Sequence, residues 1–361
     1  MSTAVVMAAV AMSNPVAKPP SRAMPMAVVG VGHLGRIHCR VLAELPEAEL
    51  VAVVDTDLDR AREVAALYQA QAFATVAELP KSVEACVVAA PTIHHASLGL
   101  ELLESGRHVL VEKPIAATVD EARQLCELAE ARNLRLMVGH SERFNPVVVA
   151  LDRYQLAPRF IDSHRVSPFS FRSSDVGVVL DLMIHDIDIV LHLVKSPVKA
   201  VHAVGVPVIG KHEDLANARI VFENGAVANA TASRVAMKTE RIIRIFSRDA
   251  YVTLDYGKKE GRIIRRGAGL KDKSLDLAAV FEEAAKNPLL FMQQNLVEIE
   301  SIAIEDVEPL KAENSAFVAA IRAGTEPVVS GRHGLLALET ADKIVASLQE
   351  SLAKVAEFDD K

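Results

Sequence analysis

The sequence predicts an α/β protein: a doubly wound parallel sheet at the N-terminal end, then a second α/β domain with a large, mostly antiparallel open sheet. Three observations carry this. From Met26 to Val138 short β-rich apolar runs alternate with amphipathic helical stretches. After Pro146 strand-like runs follow one another directly, and Glu223-Asn224-Gly225 between two of them is a hairpin turn signal. The chain has 361 residues, half of them apolar, which is long for one core and rich enough for two.

The elements follow in order. Residues 1–25 read as a disordered N-terminal extension, or as an upstream start with Met24 or Met26 as the working one; no Lys or Arg precedes the short apolar run Val5–Met12, which argues against a secretory leader. Residues 26–145 form the first domain, with strands at Met26–Val29, Leu50–Val54, Ala85–Ala90, His108–Glu112 and Leu134–Val138. Helices are expected at Arg36–Leu45, Asp57–Gln71 and Thr118–Arg132. Residues 146–330 form the second domain: a helix at Val147–Tyr154, a strand at Phe160–Val166, a buried helix within Asp175–Val194, then strand runs from Val198 to Arg266. Helical stretches are expected at Leu277–Lys286, Pro288–Glu300 and Pro309–Ala323, and residues 331–361 as a last helix returning to the first domain.

Composition excludes several function classes. A net charge of -7 without a Lys/Arg cluster, and no Trp, argue against a nucleic-acid partner. No apolar run is long enough to span a bilayer. Cys39, Cys86 and Cys126 are odd in number and widely spaced, which fits a reducing, cytoplasmic setting.

Two stretches carry chemistry. The first strand runs into Gly30-Val31-Gly32-His33-Leu34-Gly35, a helix follows, and Asp55 stands at the end of the second strand, twenty positions beyond the third glycine. Gly30 permits the tight turn, Gly32 lets backbone approach a pyrophosphate, Gly35 lets helix and strand pack closely, and the helix N-terminus favours an anion. Asp55 suits the two adenosine ribose hydroxyls and repels a 2′-phosphate, so NAD is favoured over NADP. In the second stretch, DVGVVLDLMIHDIDIVLHLV, Asp181, His185, Asp188 and His192 are spaced i, i+4, i+7 and i+11 and share one face of an otherwise apolar helix. Buried ionisable groups need partners, a ligand or a cleft.

Together these motifs resemble the glucose-fructose oxidoreductase / inositol dehydrogenase / MocA (Gfo/Idh/MocA) family of NAD(P)-dependent sugar dehydrogenases, over nearly all of Met26–Leu352. The specific carriers are Gly30 to Gly35, Glu112-Lys113-Pro114 at a strand end, and Asp181-x-x-x-His185-Asp186-Ile187-Asp188. The resemblance implies a Rossmann domain followed by an α/β domain whose open sheet carries the substrate pocket and an oligomer contact, so a homodimer or homotetramer is expected. It implies that Lys113 and His185 flank the reacting alcohol with Asp181 beside them. It places His33, Leu34, Thr92, His95 and Glu112 near the cofactor, with Lys113-Pro114 as a candidate cis peptide. Residue chemistry agrees: hydride loss from an alcohol needs a base for the hydroxyl proton, which suits His185, and a fixed cation against alkoxide charge, which suits Lys113. Asp181 is positioned to orient the imidazole or hold a sugar hydroxyl, whereas Asp188 and His192 read as structural.

The run Gly139-His140-Ser141-Glu142-Arg143-Phe144-Asn145-Pro146 and the stretch Ser167 to Val179 look most like the UDP-N-acetylglucosamine 3-dehydrogenase branch. That likeness implies oxidation of the sugar C3 and passage of the keto product to an aminotransferase, for lipopolysaccharide biosynthesis in some bacteria. His140, Arg143, Asn145 and Arg172 become substrate-binding candidates. The sequence departs from the wider family in keeping only Gly177 of the usual Gly-Gly-Gly before the catalytic helix. Alternatives are a dehydrogenase of a free sugar or inositol, and a non-catalytic NAD-binding regulator on the same fold. A metal held by Asp181, His185, Asp188 and His192 is disfavoured by the Lys113 cation, and no metal is expected.

Overall fold

The computed structural model describes residues 22–169, 176–267, 285, 287–292 and 296–359. The expectations on residues 1–21, on Arg172 and on the helix Leu277–Lys286, Ala285 apart, lie outside the described residues.

Buried, β-branched runs build the first sheet. β1 (Met24–Val29), β2 (Ala48–Val54), β3 (Gln71–Phe73), β4 (Ala85–Val88), β5 (His108–Glu112) and β6 (Leu136–Gly139) stand in the order β3-β2-β1-β4-β5-β6. Every pair is parallel. All residues of β1 and β4 are buried, as strands covered on both faces must be. Four helices connect the strands: α1 (His33–Glu44), α2 (Leu58–Tyr68), α3 (His95–Glu104) and α4 (Val119–Ala131). Asp57 caps α2, and Thr118 with Glu121 forms a capping box on α4. The strand order reverses between β1 and β4, and ligands of open parallel sheets bind in the crevice at that reversal. β1 begins at Met24, inside the stretch expected as extension. β3 gives no sequence signal because three residues have no period to read.

The second sheet has eight strands in the order β14-β13-β12-β11-β7-β10-β9-β8. These are β7 (Pro158–Val166), β8 (Val198–Val206), β9 (Leu215–Phe222), β10 (Val227–Ser233), β11 (Glu240–Ser247), β12 (Ala250–Asp255), β13 (Glu260–Arg266) and β14 (Val297–Ser301). All pairs are antiparallel except β7 with β10. Gly225 makes the β9–β10 turn with φ +82. Ile161, Ser163 and Arg165 of β7 are buried in alternation, and this face packs on α6 (Ile184–Val194). The opposite face carries polar pairs, Arg244 bonded to Asp162 at 3.3 Å and Asn217 to Thr231 at 2.8 Å, beside an aromatic cluster of Phe160, Phe246 and Tyr251.

Two expected helices differ. The stretch Val147–Tyr154 divides into α5 (Pro146–Val149), with Asn145 as cap and Pro146 at its first position, and a tighter turn at Ala150–Arg153. Among the described residues of Pro288–Glu300, α7 (Pro288–Phe291) is helical and Val297–Ser301 is the edge strand β14, paired with β13. Its alternation of Val, Ile and Glu fits a strand, and the Glu residues disguised it as helix. The last helices are α8 (Pro309–Ala323) and α9 (Gly331–Asp359). Leu335 and Leu338 of α9 join the first core, while Ala337, Ala341, Ile344 and Leu348 join the second. One helix therefore packs into both cores.

Candidate active site

The Gly-rich turn is built as a cradle. Gly30 has φ +85, and a Cβ there would lie 2.7 Å from Ala90 N. A Cβ on Gly35 would lie 1.8 Å from the Gly30 carbonyl oxygen, so only glycine lets α1 pack on β1. A Cβ on Gly32, by contrast, meets nothing within 4 Å. Open space at the N-terminus of α1, beside exposed His33 and Leu34, fits a pyrophosphate rather than protein packing. Asp55 is held at the edge of this cradle: its Oδ2 accepts from Val31 N at 3.0 Å and its Oδ1 from Asp57 N at 3.0 Å. Arg60 Nη2 stands 3.8 Å from Asp55 Oδ1.

Lys113 follows β5 on the same edge of the sheet. The Lys113-Pro114 peptide is cis. His95, buried at the start of α3, places its ring nitrogens 2.8 Å from the carbonyl oxygens of Ala90 and Pro114, tying the loop after β4 to the one after β5. Thr92 lies in the turn just before it.

Asp181 and His185 do not sit on one regular helix. Val179–Met183 forms a π turn before α6, so the two residues depart from the even 100° spacing the sequence suggests. Lys113 Nζ donates to the Asp181 backbone carbonyl at 2.7 Å and stands 3.7 Å from Asp181 Oδ1. Asp181 thus engages Lys113, and no hydrogen bond joins its carboxylate to His185 among the described residues. Lys113 and Asp181 keep 19% and 24% of their side-chain surface exposed, which marks the cleft. Burial draws Lys113 below the ordinary lysine value, against Asp181 and Glu112. His185 is pushed well below the usual histidine range by burial and by the Lys113 and Arg165 charges, so its imidazole is neutral. Its Nδ1 is buried while the ring is partly exposed, which leaves Nε2 on the cleft side.

The loop before this turn is pinned by acids. Glu213 Oε1 accepts from Val179 N at 3.3 Å at the start of the turn, where an anion is favoured. A Cβ on Gly177 would lie 2.0 Å from that oxygen, so the retained glycine makes room for the capping carboxylate. Arg234 bonds Asp214 at 2.6 Å and the Val176 carbonyl at 2.6 Å.

Behind Lys113 lies a buried polar cluster with three members the sequence did not announce: His38, Glu313 and Asn314. Glu112 Oε1 is 2.8 Å from His38 Nε2, and its Oε2 accepts from Lys113 N at 3.2 Å. Asn314 Nδ2 donates to Leu310 O and faces His38 Nδ1, so the His38 hydrogen sits on Nε2, toward Glu112. Glu313 is fully buried, and burial with the Glu112 charge raises its carboxyl well above the usual range. The ligating atoms of His38, Glu112 and Glu313 lie within 4.8 Å of one another. Both Glu313 oxygens lack a hydrogen-bond partner among the described residues, so Glu313 stands beside the His38–Glu112 bond without joining it. The available signal was a polar residue on the buried face of α1, one position before Cys39.

The substrate candidates divide. Arg165 forms a bidentate pair with Asp186, at 2.9 and 3.1 Å, and reaches Glu142 at 2.9 Å. Asn145 donates to Glu142 at 3.0 Å and caps Val147, so its side chain is engaged within the fold. Arg143 is buried, 3.5 Å from Asp188 Oδ1, and donates to Val328 O at 3.4 Å. It lines a cavity of about 490 Å3 with Asp188, His192, Lys195 and His333, not the cleft at Lys113. His140 is only 1% exposed. The sequence reading passed over one further cation: Arg241, on β11 opposite Arg165, is half exposed, stands 3.6 Å from Glu142 Oε1, and its charge acts on His185. It stands at a strand start, where a polar residue looks unremarkable.

Two family models match this architecture: an oxidoreductase family with an NAD-binding Rossmann fold over residues 24–140, and the GFO/IDH/MocA C-terminal domain over residues 150–253. UDP-N-acetylglucosamine 3-dehydrogenase of Acidithiobacillus ferrooxidans is 38% identical over 263 residues, 71% of this chain and 83% of that protein. The chain belongs to the Gfo/Idh/MocA oxidoreductase family. The solved structure of the Acidithiobacillus enzyme superposes with a TM-score of 0.80 at 32% identity, covering 91% of this chain and 99% of that one. An inositol 2-dehydrogenase of Rhizobium meliloti is 25% identical over 90% of this chain and 96% of that protein. As a Gfo/Idh/MocA member the chain is an NAD-dependent dehydrogenase of the sugar-oxidising class, and the cradle at Gly32 and Asp55 fits that cofactor. No described helix is long and apolar enough to cross a membrane.

Proposed function

We propose that this protein oxidises C3 of UDP-N-acetylglucosamine to the 3-keto sugar nucleotide, which a pathway aminotransferase then consumes. The observation that carries it is the bond from Lys113 to the Asp181 carbonyl beside a neutral His185, at the sheet edge that also bears the dinucleotide cradle. Similarity to the Acidithiobacillus dehydrogenase supports the choice of sugar.

When bound, NAD supplies the hydride acceptor. His185 takes the hydroxyl proton on Nε2, since its neutral ring has a free lone pair on the cleft side. Lys113, held as a cation by Asp181, stabilises the developing alkoxide. Glu112, oriented by His38 and Lys113 N, would help to hold the nicotinamide ribose. Gly30, Gly32, His33, Leu34, Gly35, Asp55 and Thr92 hold the dinucleotide, and His95 braces the loops around it. Arg241, rather than Arg143, offers a cation to the diphosphate, because Arg143 is buried against Asp188 whereas Arg241, though 3.6 Å from Glu142, is half exposed. The protein works as a homodimer or homotetramer in the cytoplasm.

The test is NADH formation on a substrate panel. UDP-N-acetylglucosamine is expected to be oxidised well ahead of myo-inositol and glucose. Preferred turnover of inositol or free sugar would replace this substrate with the inositol alternative, which the Rhizobium relative favours. No turnover of any of them would favour a regulator.

A further inference from the structure

Several buried polar atoms lack a hydrogen-bond partner among the described residues, and five of them belong to four residues: His185 Nδ1, both ring nitrogens of His140, Asp188 Oδ2, and Arg143 Nη1, which stands 3.5 Å from Asp188 Oδ1. Their neighbourhood is continuous. The His140 charge acts on His185, and His140 in turn feels Asp188, Lys113, Arg143 and Glu112. Asp188 follows His185 by three residues on α6, and His192 follows by four more, so the three share a face. Arg143 and Asp188 are at the same time walls of the cavity of about 490 Å3 behind α6, whose other polar walls are His192, Lys195, Ser196 and His333.

A histidine buried only for packing leaves neither nitrogen unpaired, because each unmet donor or acceptor costs about 1–3 kcal/mol. Water bridging satisfies such a group where the site is polar. Burial keeps both imidazoles neutral, so each has one donor and one acceptor, the arrangement a proton relay requires.

We propose that His140 and Asp188, bridged by water, carry the substrate proton from His185 to the cavity behind α6. The proposal rests on His185 being the base. The alcohol proton binds Nε2 of His185, and the Nδ1 proton leaves toward His140. His140 accepts on one nitrogen and releases from the other, Asp188 passes the proton on, and solvent in the cavity receives it. The hydride goes to NAD, so alcohol and oxidised cofactor yield ketone, reduced cofactor and one proton. A rear exit would serve a site whose front, where Lys113 and Asp181 keep 19% and 24% of their side-chain surface exposed, is filled by substrate and dinucleotide when both are bound.

A high-resolution crystal structure of the wild-type protein tests the path without turnover. Ordered waters bonded to His140 and to Asp188 Oδ2 are expected; direct side-chain pairing with no water between would overturn it. The second arm is His140→Phe, assayed with UDP-N-acetylglucosamine and a pH indicator. Steady-state kcat is expected to fall at least about tenfold, with KM and melting temperature near wild type, proton release lagging hydride transfer, and partial rescue by added imidazole. Unchanged kcat, or a loss that imidazole does not relieve, would overturn the relay. Wild-type inactivity on this sugar would instead count against the substrate assignment, and the crystallographic arm would still decide the path.

Discussion

Lys113 Nζ reaches the backbone carbonyl of Asp181 at 2.7 Å, nearer than the Asp181 carboxylate at 3.7 Å. The Lys113 cation is therefore docked on the main chain of a π turn, and the carboxylate supplies charge rather than the closest bond.

Side-chain loss at Asp181 should then hurt less than loss of Lys113. Lys113→Met is expected to lower kcat by about 10²- to 10⁴-fold, within the range of a positioned acid–base group. Asp181→Ala keeps the carbonyl and should cost less. Steady-state kinetics compare the two, and an equal or larger loss in Asp181→Ala would show that the carboxylate acts on substrate directly.

The two glycines of the cradle separate folding from binding. Gly32→Ala adds a methyl to open space, so stability should stay within about 0.5 kcal/mol of wild type. Its NAD affinity should drop clearly. Gly35→Ala drives a methyl onto the Gly30 carbonyl and should lower the melting temperature itself. Thermal melts with and without NAD read both effects.

Arg165 and Asp186 form a buried bidentate pair beneath the site. Removing one partner strands the other charge, so Asp186→Ala is expected to destabilise by about 3–5 kcal/mol. Urea denaturation measures this; a change under about 1 kcal/mol would mean that Glu142 alone satisfies Arg165.

The pH profile follows from two depressed groups. His185 must be neutral to act, and its value lies well below 6.5, so activity should persist as pH falls through 6.5 and fail only below it. Lys113 must be charged, and its value lies below 10.5, so the alkaline decline should begin before pH 10.5. An acid limb at or above 6.5 in kcat/KM contradicts His185 as base.

The same burial makes stability pH-dependent. His192 is drawn down to about 3 by burial, followed by the Arg143 charge. The unfolded chain takes up this proton below 6.5 while the folded one does not, so stability is full above 6.5 and falls as pH drops toward 3. His192→Leu should show a shallower loss over that window in denaturation midpoints.

Local signals made much of the architecture legible. Gly30 to Gly35 between a strand and a helix, with Asp55 after the next strand, is a short-range pattern whose residue types are dictated by turn geometry and anion chemistry. Strand β14 was hidden because Glu residues favour helix locally, and only pairing with β13 makes it a strand.

By itself the sequence determined the doubly wound first sheet, the dinucleotide cradle and the identities of Lys113, Asp181 and His185, because periodicity and motif spacing are local properties of the chain. Only the tertiary structure decided what those groups touch. The π turn that turns the Asp181 carbonyl toward Lys113, the burial of Arg143 against Asp188 and the action of the Arg241 charge on His185 join residues 45 to 68 positions apart. Such contacts are set by how two cores pack around one helix, and no spacing within the sequence encodes them.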